Sequence, residues 1–452
     1  MMDATQKTAI KVLMLPWLAH GHITPFLELA KKLILRNFHI YFCSSPINLN
    51  SIKPKLLIDP NFSNSIQLVE LHLPSLPDLP PHYHTMKGLP PHLLPTLEKA
   101  LDMTKPELSK ILETLKPDLL IYDRLPIWLP DLASSMNIQP ISFITGGAAM
   151  TSFLYHCIKC SDRQFPFPKL YPDFSKIKFT QESAEYSSTD SGRDSAIGAV
   201  EMLGKSRGVV LIRTSRELEG KYMDYLYDSL GKKVVPVGSL VPDVVLDDEE
   251  GMDIINWLDK KEKSSTVLVS FGTECYLSKE NMEEMAHGLE ISNVNFIWVV
   301  RFPKGGKMKL DDGLPEGFLG RVKERGIVVE NWAPQIKILH HSSIGGFVSH
   351  CGWGSVMESI KFGVPIIAMP MQVDQPWNAR LVDECGVGLE VNMDNNGKLK
   401  GETLAKVIKQ VVVEKTGEQI RRKAKEMSEK IGRKDEEEID GVVKELLELC
   451  KM

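Results

Sequence analysis

The sequence predicts an α/β fold of two doubly wound, parallel-sheet domains facing a cleft. Three observations predict it. The chain has 452 residues, 43% of them hydrophobic, too many for one ordinary core and enough for two. Short apolar runs rich in branched residues alternate with helix-period segments in both halves, the pattern of parallel strands covered by helices. Between the halves, VPDVVLDDEEGMD passes from proline through an acidic run to glycine, a linker composition. The expected units are 1–241, a linker over 242–253, a second domain over 254–435, and a final helix over 436–452 that is free to return to the first domain.

The elements follow in order. Ile10 to Trp17 reads as a buried strand, then a Gly/His turn, then a helix from Thr24 to Leu35. Phe26, Leu27, Ala30, Leu33 and Ile34 recur there at helical spacing, and Thr24-Pro25 suits a helix start. Phe38 to Cys43 is the next strand, and the theme returns at Leu119 to Tyr122 and Ile141 to Ile144. Residues 74–95 are rich in proline and histidine and cannot be regular throughout. A substrate-facing loop and a plain surface connection both satisfy that composition. Beyond the linker, strands are expected at Thr266 to Phe271, Asn295 to Val300, Gly326 to Val329, Gly345 to Ser349 and Pro365 to Met369. A helix over Lys279 to Glu290 has Ser278 as its cap, and amphipathic helices fill the chain from about Thr403. No solenoid-length repeat occurs. Ligands of such sheets bind beyond the carboxyl ends of the strands.

Charge and composition narrow the function. The formal net charge is −5 with no long basic block, which argues against nucleic acid or an anionic membrane as partner. The longest apolar runs, such as Val364 to Met371, are too short to span a bilayer, so no stable membrane insertion is expected. The start lacks a signal-peptide pattern, and the seven scattered cysteines fit free thiols in a reducing compartment, so the expected location is cytoplasmic. Cys157-x-x-Cys160 has no second pair and is not expected to bind zinc. Asn61-Phe-Ser63 matches a glycosylation acceptor, without meaning in the absence of secretion.

Two stretches carry chemistry. In Trp332 to Gln375, a strand feeds His350-Cys-Gly-Trp-Gly-Ser355 and a helix starts at about Ser355. Small residues there admit a ligand close to the backbone, and free N–H groups of a helix start favour phosphate oxygens. His350 adds a donor, charged or neutral. Glu358 is placed to accept from ribose hydroxyls, Trp332 offers a flat face to a base, and Asp374 and Gln375 suit paired sugar hydroxyls. In Ala19-His20-Gly21-His22, at the end of the first strand, His22 is a candidate general base. A base that takes a proton gains from a buried carboxylate, and Asp123 ends another strand of the same domain. Ser270-Phe-Gly-Thr273 leads from a strand into a turn, where Thr273 can donate to phosphate.

The block from Trp332 to Gln375, with its WAPQ start, HCGW centre and DQ end, closely resembles the signature of plant family 1 UDP-dependent glycosyltransferases. The resemblance runs over essentially the whole chain. It implies a GT-B architecture of two Rossmann-like domains, a UDP-sugar donor and a metal-free inverting transfer to a small-molecule hydroxyl. It implies that Trp332 stacks on uracil with Ala333 and Gln335 beside base and ribose. It places Glu358 on the ribose and His350 and Ser355 on the diphosphate, with Trp353 shaping the pocket. Asp374 and Gln375 then hold the sugar, His22 is the catalytic base and Asp123 its partner, and Gly21, Ser270 and Thr273 fall in donor-proximal loops. A terminal glutamine in the box is associated with glucose donors. One position departs from the pattern: Gly354 stands where asparagine is usual, which removes an amide from the phosphate or sugar.

Segments such as PINLNSIKPK and SFGTECYLS resemble the branch that adds sugar to sugar on triterpenoid or flavonoid glycosides. That implies UDP-glucose as donor and a triterpenoid glycoside as acceptor, with an aglycone such as a flavonoid as the alternative. A roomy pocket of mixed polarity is then expected, lined in part by residues 74–95, with Phe165 and Phe167 either lining it or serving as core. A monomer is expected. Other classes fit less well. A nicotinamide oxidoreductase needs Gly-x-Gly-x-x-Gly after the first strand, and a serine hydrolase needs Gly-x-Ser-x-Gly; neither is present. A non-catalytic nucleotide-sugar sensor would keep Trp332, Glu358 and Gln375 but need neither His22 nor Asp123.

Overall fold

A computed structural model describes residues 9–57, 62, 65–124, 126–171, 190–245, 249–273, 275–302, 310–394 and 398–451. The acceptor-like Asn61 and Ser63 and part of the expected linker lie outside them.

Among the described residues thirteen strands form two all-parallel sheets. The first contains β1 (Ile10–Leu15), β2 (Phe38–Ser44), β3 (Ile66–Glu70), β4 (Leu119–Tyr122), β5 (Gln139–Ile144), β6 (Val209–Ile212) and β7 (Lys233–Pro236), in spatial order β3-β2-β1-β4-β5-β6-β7. The second contains β8 (Thr266–Ser270), β9 (Asn295–Val300), β10 (Gly326–Glu330), β11 (Ile344–Ser349), β12 (Ile366–Ala368) and β13 (Gly388–Glu390), in order β10-β9-β8-β11-β12-β13. Each sheet reverses its winding once, between β1 and β4 and between β8 and β11. A crevice opens at such a reversal, beyond the carboxyl ends of the strands. These are two Rossmann-like sheets, the GT-B architecture expected from the sequence.

The strands read as near-continuous apolar runs because helices cover both faces. On one face of the first sheet Val12, Met14, Ile40 and Phe42 pack with Phe26, Ala30 and Leu33 of the helix His20–Ile34. Leu13, Leu15, Tyr41 and Tyr122 form the opposite core. Val267, Val269, Phe296 and Trp298 do the same on one face of the second sheet, with Leu268, Ile297 and Phe347 on the other. A further apolar cluster joins the two units: Ala148, Ala149 and Tyr222 pack with Trp353, Met357 and Leu381.

Two helix starts differ from the expected positions. The first helix begins at His20 and not at Thr24. Ala19 is extended (φ −119°, ψ 141°) and its carbonyl accepts from both His22 and Ile23 N–H at 2.9 Å, so the first turn closes there. Pro25 falls inside the helix; the carbonyl it leaves without a partner is that of exposed Gly21. The helix after β11 spans Trp353–Lys361 with Gly352 before it, so Trp353, Gly354 and Ser355 form its first turn. Ser278 caps the helix Lys279–Ser292 as expected, accepting from Asn281 N–H at 3.3 Å.

Residues 74–95 fold into short 3-10 turns at Pro81–Tyr83 and Pro91–Leu93. They are tied to the loops after β1 and β2: Met86 N–H donates to the Leu18 carbonyl at 2.8 Å and Ser45 Oγ donates to the His84 carbonyl at 2.7 Å. Phe165 is 1% exposed within an aromatic cluster with Phe153, His156 and Tyr225, and serves as core. The last helix, Glu418–Leu449, runs without a break past residue 435. Its Ala424 and Ile431 join the cluster between the units, and its Ile439, Val442, Leu446 and Leu449 join the first sheet's core. Among the described residues no helix is long and apolar enough to cross a membrane.

Candidate active site

The site is built from the carboxyl ends of β1, β4 and β5 on one side and of β8, β11 and β12 on the other. Asp123 directly follows β4, and its backbone N–H still pairs with the Leu15 carbonyl, at 3.3 Å. That pairing directs its side chain under the loop after β1. Oδ2 accepts from Trp17 N–H at 3.1 Å and Oδ1 from Arg124 N–H at 2.7 Å. Asp123 Oδ2 and His22 Nδ1 are 2.6 Å apart. Burial by itself would raise the Asp123 carboxyl; the charge and hydrogen bond of His22, with the two backbone donors, hold it below its ordinary value. An ionised carboxylate only accepts, so the shared proton sits on Nδ1 and leaves the lone pair on Nε2. His22 lies in the first helical turn with its side chain 28% exposed, against 5% for Asp123. Thr145, just after β5, puts Oγ1 2.8 Å from the same Nδ1. Sequence reasoning missed Thr145. Its one signal is that it follows a strand adjacent to β4.

Across the cleft, Trp332 follows β10 and is 47% exposed, while Ala333 is buried beneath it. Gln335 opens the helix Gln335–His340 and its Nε2 donates to Glu358 Oε2 at 2.7 Å and to Ser355 Oγ at 3.3 Å. Burial raises the Glu358 carboxyl, opposed by that amide and by the charge of Arg213. Gln335, Ser355 and Glu358 are thus brought together, with Trp332 three residues before Gln335 in the chain. His350 follows β11, and its ring is gripped by glycines. A Cβ on Gly272 would stand 2.9 Å from its Nε2, and one on Gly352 2.6 Å. Burial lowers its pKa to about 4, so the ring is neutral at physiological pH, and among the described residues its buried Nδ1 has no hydrogen-bond partner. Ser270 is buried at the end of β8, and Thr273 is exposed in the turn after it. Gly21 is exposed and faces open space.

Trp353 is placed differently from a pocket wall. It is 4% exposed, its Nε1–H donates to the Arg213 carbonyl at 2.7 Å, and its ring lies 3.1 Å from where a Gly147 side chain would begin. It therefore fastens the helix Trp353–Lys361 to the first unit. Asp374 precedes the helix Gln375–Cys385 and accepts from Asn378 Nδ2 at 2.8 Å. Burial holds the Asp374 carboxyl above its ordinary value, opposed in turn by Asn378, its own backbone, His22 and Trp353 N–H. Gln375, expected to hold sugar hydroxyls, is buried. Its Oε1 accepts from Met371 and Gln372 N–H, both at 2.9 Å, and its Nε2 contacts Cys275 Sγ at 3.7 Å, so it shapes the loop. Gly354 is half-buried beside Arg213. Among the described residues no group of three or more His, Cys, Asp or Glu side chains stands ready to hold a metal ion.

A base with its carboxylate partner stands at the strand ends of one sheet, and a glycine-flanked helix start with a buried imidazole and Glu358 stands at those of the other, the arrangement of a group-transfer enzyme acting on a nucleotide-linked substrate. Two family models cover the chain: "Glycosyltransferase, N-terminal domain" matches residues 8–242, and "UDP-glucoronosyl and UDP-glucosyl transferase" matches 232–424. The chain belongs to this family of UDP-glycosyltransferases. It is 54% identical to "Mogroside IIIx synthase" of Siraitia grosvenorii, over 100% of this chain and 96% of that protein. It is 50% identical to "Beta-D-glucosyl crocetin beta-1,6-glucosyltransferase" of Gardenia jasminoides, over 96% and 98%. Among solved structures it resembles Phytolacca americana UGT2 complexed with UDP-2fluoro-glucose and pterostilbene. The TM-score is 0.80 at 27% identity, covering 98% of this chain and 100% of the other. The protein is a UDP-glycosyltransferase that uses a UDP-sugar as donor.

Proposed function

We propose that the protein transfers glucose from UDP-glucose, with inversion, to a sugar hydroxyl of a triterpenoid glycoside. The observation that carries the reading is His22, whose Nδ1 lies 2.6 Å from Asp123 Oδ2 and 2.8 Å from Thr145 Oγ1, which fixes the ring and leaves Nε2 for the acceptor. Nε2 takes the acceptor hydroxyl's proton as the oxygen attacks the anomeric carbon, and Asp123 stabilises the imidazolium that forms. UDP leaves from the opposite face, so an α-linked donor gives a β-linked product. Trp332 stacks on uracil, Ala333 and Gln335 stand beside base and ribose, and Glu358 takes the ribose hydroxyls. His350, Ser355 and the first N–H groups of the helix Trp353–Lys361 take the diphosphate, with Ser270 and Thr273 close by. His350 serves as a neutral donor, and its orphaned Nδ1 supports a ligand-facing role. Asp374 binds the transferred sugar, while Gln375 holds the loop that presents it.

The division of labour follows the sheets. Residues 1–241 take the acceptor and 254–435 the UDP-sugar, joined through 242–253, with the last helix returning to the first unit. The acceptor reading draws support from relatives whose names carry a mogroside and a glucosyl crocetin. The loop of residues 74–95, tied to Leu18 beside the histidines, is placed to meet the acceptor. All seven cysteines are free, which fits a monomer working in the cytoplasm.

The test is UDP release from UDP-glucose against paired aglycones and glucosides, with products confirmed by mass. Gain of one hexose on glucosides alone is expected. Turnover of aglycones alone would overturn the acceptor, and turnover with another UDP-sugar in place of UDP-glucose would overturn the donor sugar.

A further inference from the structure

Arg213 directly follows β6, and its backbone N–H donates to the Ile144 carbonyl at 2.9 Å. The residue is 3% exposed. Two of its three side-chain nitrogens are fixed within the first unit: Nε donates to the Ser239 carbonyl at 2.8 Å and Nη2 to the Leu240 carbonyl at 3.4 Å. Among the described residues the third, Nη1, has no hydrogen-bond partner and faces the other unit. A Cβ built on Gly354 would stand 3.8 Å from it, with nothing nearer outside the helix. The Trp353–Arg213 hydrogen bond, one residue earlier, holds this approach in place. Burial lowers the guanidinium to about 10, with Glu358 and Glu28 pulling it back up, so it stays charged at neutral pH.

That placement is unfavourable as it stands. The first turn of a helix is its positive end, and a buried cation facing it is repelled. Glu358 compensates in part, but its carboxylate is engaged by Gln335 and is the group assigned to the ribose. Two positive features converge on a space whose wall residue has no side chain. An anion with several oxygens fits that space, and a guanidinium fork is well matched to phosphate.

We propose that Arg213 binds the diphosphate of the UDP-sugar from the opposite side of the cleft, through the opening left by Gly354. Gly354 is the one position in the block that departs from the family pattern. In this chain the missing side chain leaves the path to Nη1 clear, and an arginine of the first unit supplies the polar contact. Donor binding and contact between the units then meet at one residue, its side chain on the phosphates and its carbonyl on Trp353. The inference rests on the assignment of the donor site to the helix Trp353–Lys361.

The test is calorimetric titration of the full-length protein with UDP and with uridine, which lacks the phosphates. Arg213→Gln is expected to weaken UDP about 10- to 100-fold, the range of one charged hydrogen bond, and to leave uridine unchanged. Arg213→Lys keeps the charge without the fork, guards against misfolding of the Gln variant, and is expected to lose UDP affinity several-fold with uridine again unchanged. Equal loss of UDP and uridine would mark Arg213 as structural and overturn the proposal, as would unchanged UDP affinity in a folded variant. A wild-type protein that binds neither ligand would overturn the donor-site assignment itself.

Discussion

A base that becomes charged as it works needs its counter-charge already in place, and at His22 that counter-charge is Asp123. The carboxyl is held below its ordinary value, so it stays ionised from neutral pH well into acid, and its support is lost only as pH falls through that depressed value. A fall in activity between pH 7 and 5 therefore does not come from Asp123. Asp123→Asn leaves the ring without a charged partner or a fixed tautomer. It is expected to cut kcat by about 100- to 10,000-fold with UDP affinity unchanged, in initial-rate and titration measurements. Thr145→Val removes a single neutral hydrogen bond at Nδ1, for which about 2- to 10-fold in kcat is expected. A larger loss there would mean that Thr145 touches the acceptor. Asp123 was legible in the sequence because it ends a recognisable strand, and His22 because it stands in the Gly/His turn that follows one. Thr145 and Arg213 were not, because a threonine or arginine after an apolar run is ordinary until the sheet brings it beside a partner far away in the chain.

Among the elements, the turn around β11 is where backbone shape governs ligand geometry. Gly352 has φ −57°, which alanine adopts without strain, so the penalty of a side chain there falls on the His350 ring 2.6 Å away. Gly352→Ala is expected to raise the KM for UDP-glucose about 10-fold or more while the acceptor KM holds, since misplacement near 1 Å costs up to about 100-fold. An unchanged donor KM would mean that the ring has no part in donor binding. The apolar runs at β1, β2, β4, β8, β9 and β11 were readable from pattern alone. β3 and β7 were not: both are short edge strands, β3 alternates, and β7 begins with lysine and ends with proline. The start of the first helix was hidden for another reason. Ala19 caps it through backbone geometry alone, with no side chain to announce it, while Thr24-Pro25 offers the usual signal in the wrong place.

For the whole molecule, the helix Glu418–Leu449 holds the units together through polar contacts as well as apolar ones. Glu438 Oε1 accepts from Ser215 Oγ at 2.8 Å and from Arg216 N–H at 3.1 Å, while among the described residues buried Oε2 has no hydrogen-bond partner. Burial raises this carboxyl to about 7, against the pull of those two donors. The folded state thus binds a proton that the unfolded chain releases at lower pH. Stability from this group is fully present below the ordinary carboxylate range and is lost as pH rises through about 7. Glu438→Gln keeps an acceptor and removes the charge. Its Tm is expected to exceed the wild type's at pH 8 and to match it at pH 5; equal Tm values at both would show that the carboxylate is well solvated. The two parallel sheets were legible at this scale, because alternation of strands and helices suffices for them. The reach of the last helix was not legible in the same way, because an amphipathic stripe does not say which surface it will cover.

That reach also sets an order of events during synthesis. Ile439, Val442, Leu446 and Leu449 close a core whose other members, from Val12 to Leu240, leave the ribosome long before them. The first sheet therefore waits, with an apolar groove open to water, while the entire second sheet is translated. Exposed apolar surface of this kind is what chaperones hold and what aggregation exploits. The half of the molecule made first is the half completed last.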